Sequence, residues 1–304
     1  MGYRSLNFQL FGQSVCRVFL LFLLFQKVQA QVEIDTYSIG ALEFAILQTT
    51  SGCAQHPTTS ITAPEGTVIL GGGAYVDWQG PCAPPSPPGN MLTAMYPNDD
   101  GTTWTVASKD HLYPSPASIV AYCIVAKLSD GSPIPADAYI VVSETSGVAN
   151  HPSQQVNLPS EFVVVGGGAM ANYGSGVGSM LYASYPTDDL SGWIGSAKDH
   201  EVPDPTTITV WAIGLSRSFL SGAGMEVTSF SGTSSPPVNH PSITISVPNF
   251  YLTGVGAIDN WTGVGNLLTA VYPQNGQTVV AEGKDHLTAD PSTITAYGIG
   301  FQGY

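Results

Sequence analysis

Basic residues are scarce in this chain. Only eight of its 304 residues are Lys or Arg, against 22 Asp or Glu. Three of the eight bases precede residue 31, so residues 31–304 carry five bases, all 22 acids and a net charge of −17. Nucleic acids and anionic membranes are bound through clustered basic side chains that displace counterions. We therefore expect no nucleic-acid partner.

Long hydrophobic runs are also missing. The apolar run at residues 18–25 (VFLLFLLF) is too short to span a bilayer, which takes about 20 residues. It follows two arginines and precedes the small-residue sequence VQA at residues 28–30. This pattern predicts a signal peptide over residues 1–30. We expect a secreted, extracellular protein without membrane insertion.

Cysteine is rare after the predicted cleavage site, where only Cys53, Cys82 and Cys123 remain. Cys82 lies in a proline-rich insertion at residues 81–89, and Cys53 lies in a turn shortly before His56. Because an added loop and an added thiol occur together in an exported chain, we predict a Cys53–Cys82 disulfide. Cys123 lies in an apolar strand and is predicted to be a buried free thiol.

The chain shows no amphipathic helical period of useful length after the signal peptide, but short β-rich runs alternate with Pro, Gly and Asn. Three motifs recur three times: Tyr-Pro, Lys-Asp-His, and Gly-Gly-Gly-Ala, which becomes Gly-Val-Gly-Ala in the third copy. A regular self-similar period identifies internal repeats. The predicted repeats cover residues 31–128, 136–216 and 224–304.

The predicted fold is all-β. Each repeat is expected to form a small antiparallel β-sandwich of about six strands, because turns recur at regular spacing. The alternative is one pseudo-three-fold, β-prism-like body. In the glycine segment, Val255 takes the middle position of the third copy, and a β-branched residue disfavours positive φ. The outer two glycines are therefore predicted to be the ones that must lack a Cβ.

An aromatic residue stands five positions after the last glycine of each copy, preceded by Asp or Asn. These pairs are Asp77 and Trp78, Asn172 and Tyr173, and Asn260 and Trp261. Such a pair at a loop mouth suits a sugar, because the ring packs on the pyranose and the polar side chain binds hydroxyls. The alternative is a ring that caps the core beside an Asx turn. Asn260 also begins a glycosylation sequon, Asn-Trp-Thr.

Lys-Asp-His opens a fixed-length hairpin loop in every repeat. Its members are Lys109, Asp110, His111, Lys198, Asp199, His200, Lys284, Asp285 and His286. If strand alternation continues through the motif, Lys and His share the outer face and Asp points inward. Three roles are open: loop stabilisation by Asp, a polar cluster that binds hydroxyls, or catalysis with Asp orienting His as a general base. The catalytic role lacks a nucleophile common to all copies.

The other three histidines each precede a proline: His56, His151 and His240. Together with the Lys-Asp-His residues they could form transition-metal sites, if the fold brings the two motifs together. An immobilised Lys in the same cluster disfavours a cation. We therefore predict no metal and no cofactor.

We predict a secreted, non-enzymatic, multivalent protein that binds carbohydrate or glycoprotein surfaces, like a lectin. Three similar sites on one rigid body would gain avidity. The principal alternative is a structural extracellular-matrix, coat or filament-forming repeat protein that self-associates. A hydrolase that uses Lys-Asp-His is third.

Overall fold

The computed structural model describes residues 30–174 and 176–304. Residues 1–29, which hold all but the last residue of the predicted signal peptide, lie outside the described residues. The regular secondary structure of the described chain is almost entirely antiparallel β-sheet, with one turn of 3₁₀-helix at Ala136–Ala138 and one short helix, α1 (Arg217–Gly222). The predicted all-β class is confirmed.

Nineteen strands are present in the described residues. The first repeat contains β1 (Val32–Ile39), β2 (Leu42–Thr50), β3 (Thr58–Thr62), β4 (Val68–Asp77), β5 (Asn90–Pro97), β6 (Thr103–Asp110) and β7 (Ser118–Leu128). The second contains β8 (Tyr139–Thr145), β9 (Ser153–Asn157), β10 (Phe162–Ala171), β11 (Met180–Pro186), β12 (Gly192–Lys198) and β13 (Ile208–Ser216). The third contains β14 (Met225–Thr233), β15 (Ser242–Ser246), β16 (Tyr251–Asp259), β17 (Asn266–Asn275), β18 (Thr278–Asp285) and β19 (Ile294–Gly303).

The strands form three sheets, and each sheet combines strands of two sequence repeats. The sheet orders are β1-β2-β7-β4-β17-β18-β15, β3-β6-β5-β10-β13-β8 and β14-β19-β16-β11-β12-β9. The joints between repeats are short ladders: β4 with β17, β10 with β5, and β11 with β16. No sheet is therefore built from the strands of a single repeat.

Each repeat nevertheless packs as two layers. In the first repeat, β2, β7 and β4 face β3, β6 and β5; in the second, β8, β13 and β10 face β9, β12 and β11. In the third, β14, β19 and β16 face β15, β18 and β17. The two layers of one sandwich belong to different sheets, so the predicted sandwiches are fused into one body of three sheets. The exact domain boundaries stay a prediction.

Strand alternation explains how the core is filled. In β6, Trp104, Val106 and Ser108 are buried, whereas Thr103, Thr105 and Ala107 between them are half-buried. This period of two is that of a strand with one face on a core. Buried apolar residues of all three sandwiches belong to one continuous cluster.

The first glycine of each triplet lies where β4, β10 and β16 pass one another, and the last lies against the backbone of β17, β5 or β11. A Cβ on Gly71 would overlap the backbone of Thr253 and Gly254, and one on Gly166 would overlap Leu70. Gly254 in turn lies against the backbone of residues 165–166. The predicted need for outer glycines is therefore confirmed, and its cause is backbone-to-backbone contact between different repeats.

The middle glycine is also required in the first two copies, which the sequence prediction did not include. A Cβ on Gly72 would overlap the indole of Trp104, and Gly167 is related in the same way to Trp193. In the third repeat, Val279 pairs with a proline as both tryptophans do. The smaller side chain at that position is compatible with a larger residue, Val255, in the glycine strand.

The predicted Cys53–Cys82 disulfide is present, and it closes a loop with a sequence separation of 29 residues. Cys123 is the free, buried cysteine that was expected. The disulfide joins the loop before His56 to the insertion that follows Trp78, so it restrains both chain segments at one end of the first repeat.

We expect Gly166→Ala to lower the free energy of unfolding by about 2–3 kcal/mol, because the new Cβ must displace the Leu70 carbonyl or overpack the centre. Gly52→Ala is the matched control, since nothing lies within 4 Å of its added Cβ. Urea denaturation of both variants measures the difference. Equal stability of the two variants would contradict the close approach of the strands.

Candidate functional site

Lys-Asp-His lies at the same end of three strands, β6, β12 and β18, and the three motifs meet at the centre of one end of the molecule. The lysines and histidines of the motif are at most 4% exposed. The expectation that Lys and His share an outer face is therefore wrong: the residues turn into the junctions between repeats instead of facing solvent.

The three motif histidines form a closed cluster. His111, His200 and His286 have ring centroids 5.2–5.4 Å apart, and every pair meets edge to face. Each histidine comes from a different repeat. The cluster thus joins all three sandwiches at a single point.

Backbone carbonyls occupy most of the imidazole nitrogens. The Nδ1 atoms lie 3.0–3.2 Å from the carbonyl oxygens of a neighbouring repeat, in the pairs His111 with Val177, His200 with Val264, and His286 with Pro88. The Nε2 atoms of His111 and His286 lie 2.8 and 2.9 Å from the carbonyls of His200 and His111. Nitrogens used in this way are unavailable as metal ligands. Within the described residues, no group of three or more His, Cys, Asp or Glu side chains is arranged to hold a metal ion.

A strained turn follows each motif histidine. Leu112, Glu201 and Leu287 have φ of 61°, 57° and 61°, which is unfavourable for residues with a Cβ. The N–H two positions after each histidine donates back to the histidine carbonyl over 2.6–2.7 Å, which closes a three-residue turn. The carbonyls of His111 and His200 also contact the Nε2 atoms of His286 and His111, respectively. The turn therefore orients the carbonyl oxygen that the neighbouring histidine ring contacts.

Each motif lysine is held by the loop that carries the predicted sugar-stacking ring of another repeat. The Nζ atoms lie over Tyr173, Trp261 and Trp78, at 4.6 Å for Lys109, 4.5 Å for Lys198 and 4.8 Å for Lys284. Each Nζ also donates to the carbonyl that its neighbouring histidine contacts, in the pairs Lys109 with Val177, Lys198 with Val264, and Lys284 with Pro88. One face of each aromatic ring is therefore occupied by a cation from within the protein.

Three further glycines make room for these lysines. Gly89, Gly178 and Gly265 have φ of 118°, 93° and 117°, and a Cβ on any of them would overlap a lysine side chain. They are absent from the predicted site. The signal that identifies them is a glycine followed by Asn or Ser and then two apolar residues, which recurs in all three repeats.

The motif aspartates bind the His-Pro histidines. His56, His151 and His240 lie 3.2, 3.0 and 3.2 Å from Asp110, Asp199 and Asp285. The second oxygens of Asp110 and Asp199 accept backbone N–H groups of Ser115 and Asp204. The two histidine motifs therefore converge, although about fifty residues separate them. Each Asp orients a half-exposed histidine rather than the buried one beside it, so the Asp–His pairing of the catalytic alternative is not formed within the motif.

The Asp and Asn residues before the aromatics are engaged locally. Asn172 and Asn260 each donate to two threonine hydroxyls on the neighbouring strand, over 2.9 and 3.1 Å. Asp77 accepts the hydroxyl of Tyr75 at 3.4 Å. These contacts favour a local structural role for the Asp and Asn side chains over direct hydrogen bonding to a ligand.

Open clefts lie beside the junctions that contain Trp78 and Trp261. The Trp78 cleft, about 220 Å³, is lined by Tyr75, Trp78, Gln79, His240, Pro241, Ser242, Thr269, Glu282 and Gly283. The Trp261 cleft, about 280 Å³, is lined by Asn150, His151, Asp199, Glu201, Pro203, Trp261, Gly263 and Val264. Of the predicted site residues, Trp78, Trp261 and Asp199 line these clefts. The buried Lys and His of the motif do not.

Burial controls the charges at the centre. It lowers the pKa of His111 and His200 and brings the pKa of His286 down to about 4, with Lys284 acting in the same direction. Burial also lowers the pKa of Lys198 and Lys284 to about 8. Asp259, buried near Lys198, has its pKa raised by burial to about 7. Burial therefore disfavours the charged form of all three histidines, while the backbone carbonyls that face their ring nitrogens favour it.

No protein-family model and no curated protein matches this chain. In the described part of the chain, no helix is both long and apolar enough to cross a membrane.

The Lys284–Trp78 contact should be measurable as a coupling energy. In a double-mutant cycle of Lys284→Met and Trp78→Leu, we expect the two changes to be non-additive by about 1–2 kcal/mol, because either change alone already removes the cation–π contact. Lys127→Met is the control, since its pair with Glu43 is largely exposed and contributes about 0–1 kcal/mol. Additive effects in urea denaturation would exclude a stabilising contact.

The histidine cluster should make the protein sensitive to acid. Relative to a His286→Gln variant, the wild-type protein is expected to lose about 2–3 kcal/mol of unfolding free energy between pH 6.5 and 4. The pKa of His286 is about 4 in the folded chain and about 6.5 when unfolded, so only the unfolded chain takes up the proton in this window. Above about pH 7.5, where the unfolded chain has also lost this proton, the difference should be constant.

Asp259→Asn is a control for which the change in unfolding free energy with pH should have the opposite sign. The pKa of Asp259 is about 7 in the folded chain, so the folded chain binds this proton first and wild type gains stability relative to the variant as the pH falls from 7 toward 4. Urea-unfolding free energies at several pH values give all three profiles. Parallel profiles for wild type and His286→Gln would rule out the proposed proton linkage.

Proposed function

We propose that this protein is a secreted, non-enzymatic, carbohydrate-binding protein whose binding surfaces are the clefts at the junctions between repeats. The observation that supports this most directly is the composition of the Trp78 cleft. An indole, a phenol, a half-exposed histidine and small hydroxyl and amide side chains from two repeats surround one open depression.

The chemistry of the Trp78 cleft suits a sugar. Trp78 and Tyr75 supply aromatic surface, while Gln79, His240 and Ser242 supply donors and acceptors on the rim. Pyranose rings have apolar C–H faces and hydroxyl edges, so they match such mixed walls. The cleft is smaller than the roughly 300–1,000 Å³ typical of drug-sized ligands, which favours one or two sugar units.

The Trp261 cleft has a related but different lining. His151 meets the edge of Trp261 at 5.5 Å, as His240 meets Trp78 at 5.6 Å. Asn150 and Glu201 add polar groups. Similar clefts on one rigid body would give avidity for a polyvalent surface, so weak single sites would suffice. Asn260 is exposed and precedes Trp261, and a glycan at this sequon would sit beside this cleft.

A non-enzymatic role is supported by the state of the Lys-Asp-His motif. Its histidines are buried, and their ring nitrogens face backbone carbonyls instead of a solvent-accessible substrate position. A general base must reach the proton that it abstracts. The Cys53–Cys82 disulfide and the predicted signal peptide together support secretion, because disulfides persist in oxidising compartments.

The glycan test uses rim residues, so that the Lys–aromatic contacts stay intact. We expect Gln79→Ala with His240→Ala, and separately Asn150→Ala with His151→Ala, each to weaken binding of immobilised oligosaccharides about tenfold, through the loss of two hydrogen bonds. Combining the four changes should reduce retention further than either pair does. Glycan arrays followed by affinity measurements provide the readout.

Glu65→Ala, an exposed change at the opposite end of the molecule, is the control and should bind as wild type. Failure of the wild-type protein to retain any glycan, or unchanged retention in the four-fold variant, would reject carbohydrate binding at these clefts.

A further inference from the structure

Glu282 is an unpaired carboxylate in the wall of the Trp78 cleft. It is half-buried, and its nearest titratable neighbours are the neutral phenols of Tyr75 and Tyr272. Among the described residues, no Lys, Arg or His forms an ion pair with it. Burial raises its pKa. Partly desolvating a carboxyl group without giving it a hydrogen-bond or ion-pair partner is unfavourable. A ligand that supplies a donor or a cation to Glu282 would offset this cost.

The other two junctions lack this carboxylate. In the strand register, Glu282 lies between Ala270 and Ser242. The corresponding residue at the Tyr173 junction is Ala107, between Ala94 and Thr58, and at the Trp261 junction it is Ser196, between Ala183 and Ser153. The residue before the aromatic differs in the same sense, because Asp77 stands where the others have Asn172 and Asn260. The Trp261 cleft has carboxylates of its own, but Asp199 pairs with His151 and Glu201 accepts the Thr288 hydroxyl. The Trp78 cleft is therefore the one with an unpaired carboxylate at this register.

No lysine or arginine of the described residues is available to bind an acidic sugar at these clefts, and the half-exposed His240 and His151 already pair with Asp285 and Asp199. The three motif lysines are buried over aromatic rings. Lys127 pairs with Glu43 at 3.3 Å, and Arg217 donates to the Ser160 carbonyl, both at the opposite end of the molecule. With a net charge of −17 beyond residue 30, uronic or sulfated sugars would meet only repulsion.

We propose that the Trp78 cleft selects amino sugars with a free ammonium group, which Glu282 binds while the sugar ring packs on the aromatic wall. This inference rests on the proposed carbohydrate-binding function and names the ligand class of one of its sites. A charge-assisted hydrogen bond from ammonium to carboxylate is about twice as strong as a neutral one. N-acetylation of the same sugar removes the charge and should remove the advantage.

The experiment compares three oligomers of equal length: glucosamine, N-acetylglucosamine and galacturonic acid. Isothermal titration calorimetry with the wild-type chain should show the glucosamine oligomer binding about tenfold more tightly than its N-acetylated form, and the galacturonic acid oligomer weakest. Glu282→Gln should abolish the preference and leave the affinity for the N-acetylated oligomer unchanged. Thermal unfolding checks that this variant is folded.

One further variant makes the test specific. Glu65→Gln alters the net charge by the same amount at the far end of the molecule and should keep the full preference.

The outcomes separate the two proposals. Binding of the neutral oligomer without preference for the glucosamine oligomer overturns the amino-sugar inference and leaves carbohydrate binding standing. A preference that persists in Glu282→Gln, or falls equally in Glu65→Gln, shows general attraction to an acidic protein and also overturns it. If none of the three oligomers binds and glycan arrays show no retention either, both proposals fail.

Discussion

The close approach of three glycine strands is the constraint on which the rest of the structure depends. Gly71, Gly166 and Gly254 allow β4, β10 and β16 to touch backbone to backbone at the centre. Side chains at these positions would separate the strands, because protein interiors hold no spare volume. With the strands this close, sheets continue from one repeat into the next, and three small sandwiches share one core. Every junction, cleft and loop contact at the end of the molecule follows from that spacing.

The Lys-Asp-His end shows how one repeated motif serves assembly. Each lysine is satisfied by a carbonyl and a ring from another repeat, and each histidine touches two other repeats. Buried cations need such complete partners, because an unpaired charge in a low dielectric is strongly unfavourable. The motif therefore recurs because all three junctions need it. Recurrence within a chain marks a shared physical requirement, which here is the closure of the junctions.

The three junctions differ in the side chains that line their surfaces. Repeated residues hold the body together in the same way three times, whereas Glu282, Asp77 and Gln79 occur at one junction only. A scaffold with equivalent junctions lets the surface of each cleft vary without disturbing the contacts beneath it. Side chains on the cleft walls lie above the lysine–aromatic contacts. These side chains can therefore differ between junctions, and suit different ligands, without changing the buried contacts.

By itself the sequence determined what depends on local pattern. Alternation and turn residues specified strands, the paired insertion and cysteine specified Cys53–Cys82, and Val255 showed which glycines of the triplet matter in every copy. It also indicated the His-Pro, aromatic and Lys-Asp-His motifs as related features. Only the tertiary structure decided which copies meet. Lys109 contacts a ring 64 positions later, and Lys284 one 206 positions earlier. No local period encodes such partners, because they are selected by how three sandwiches pack around a shared centre. The same packing turned the lysines and histidines inward and left the neighbouring clefts open.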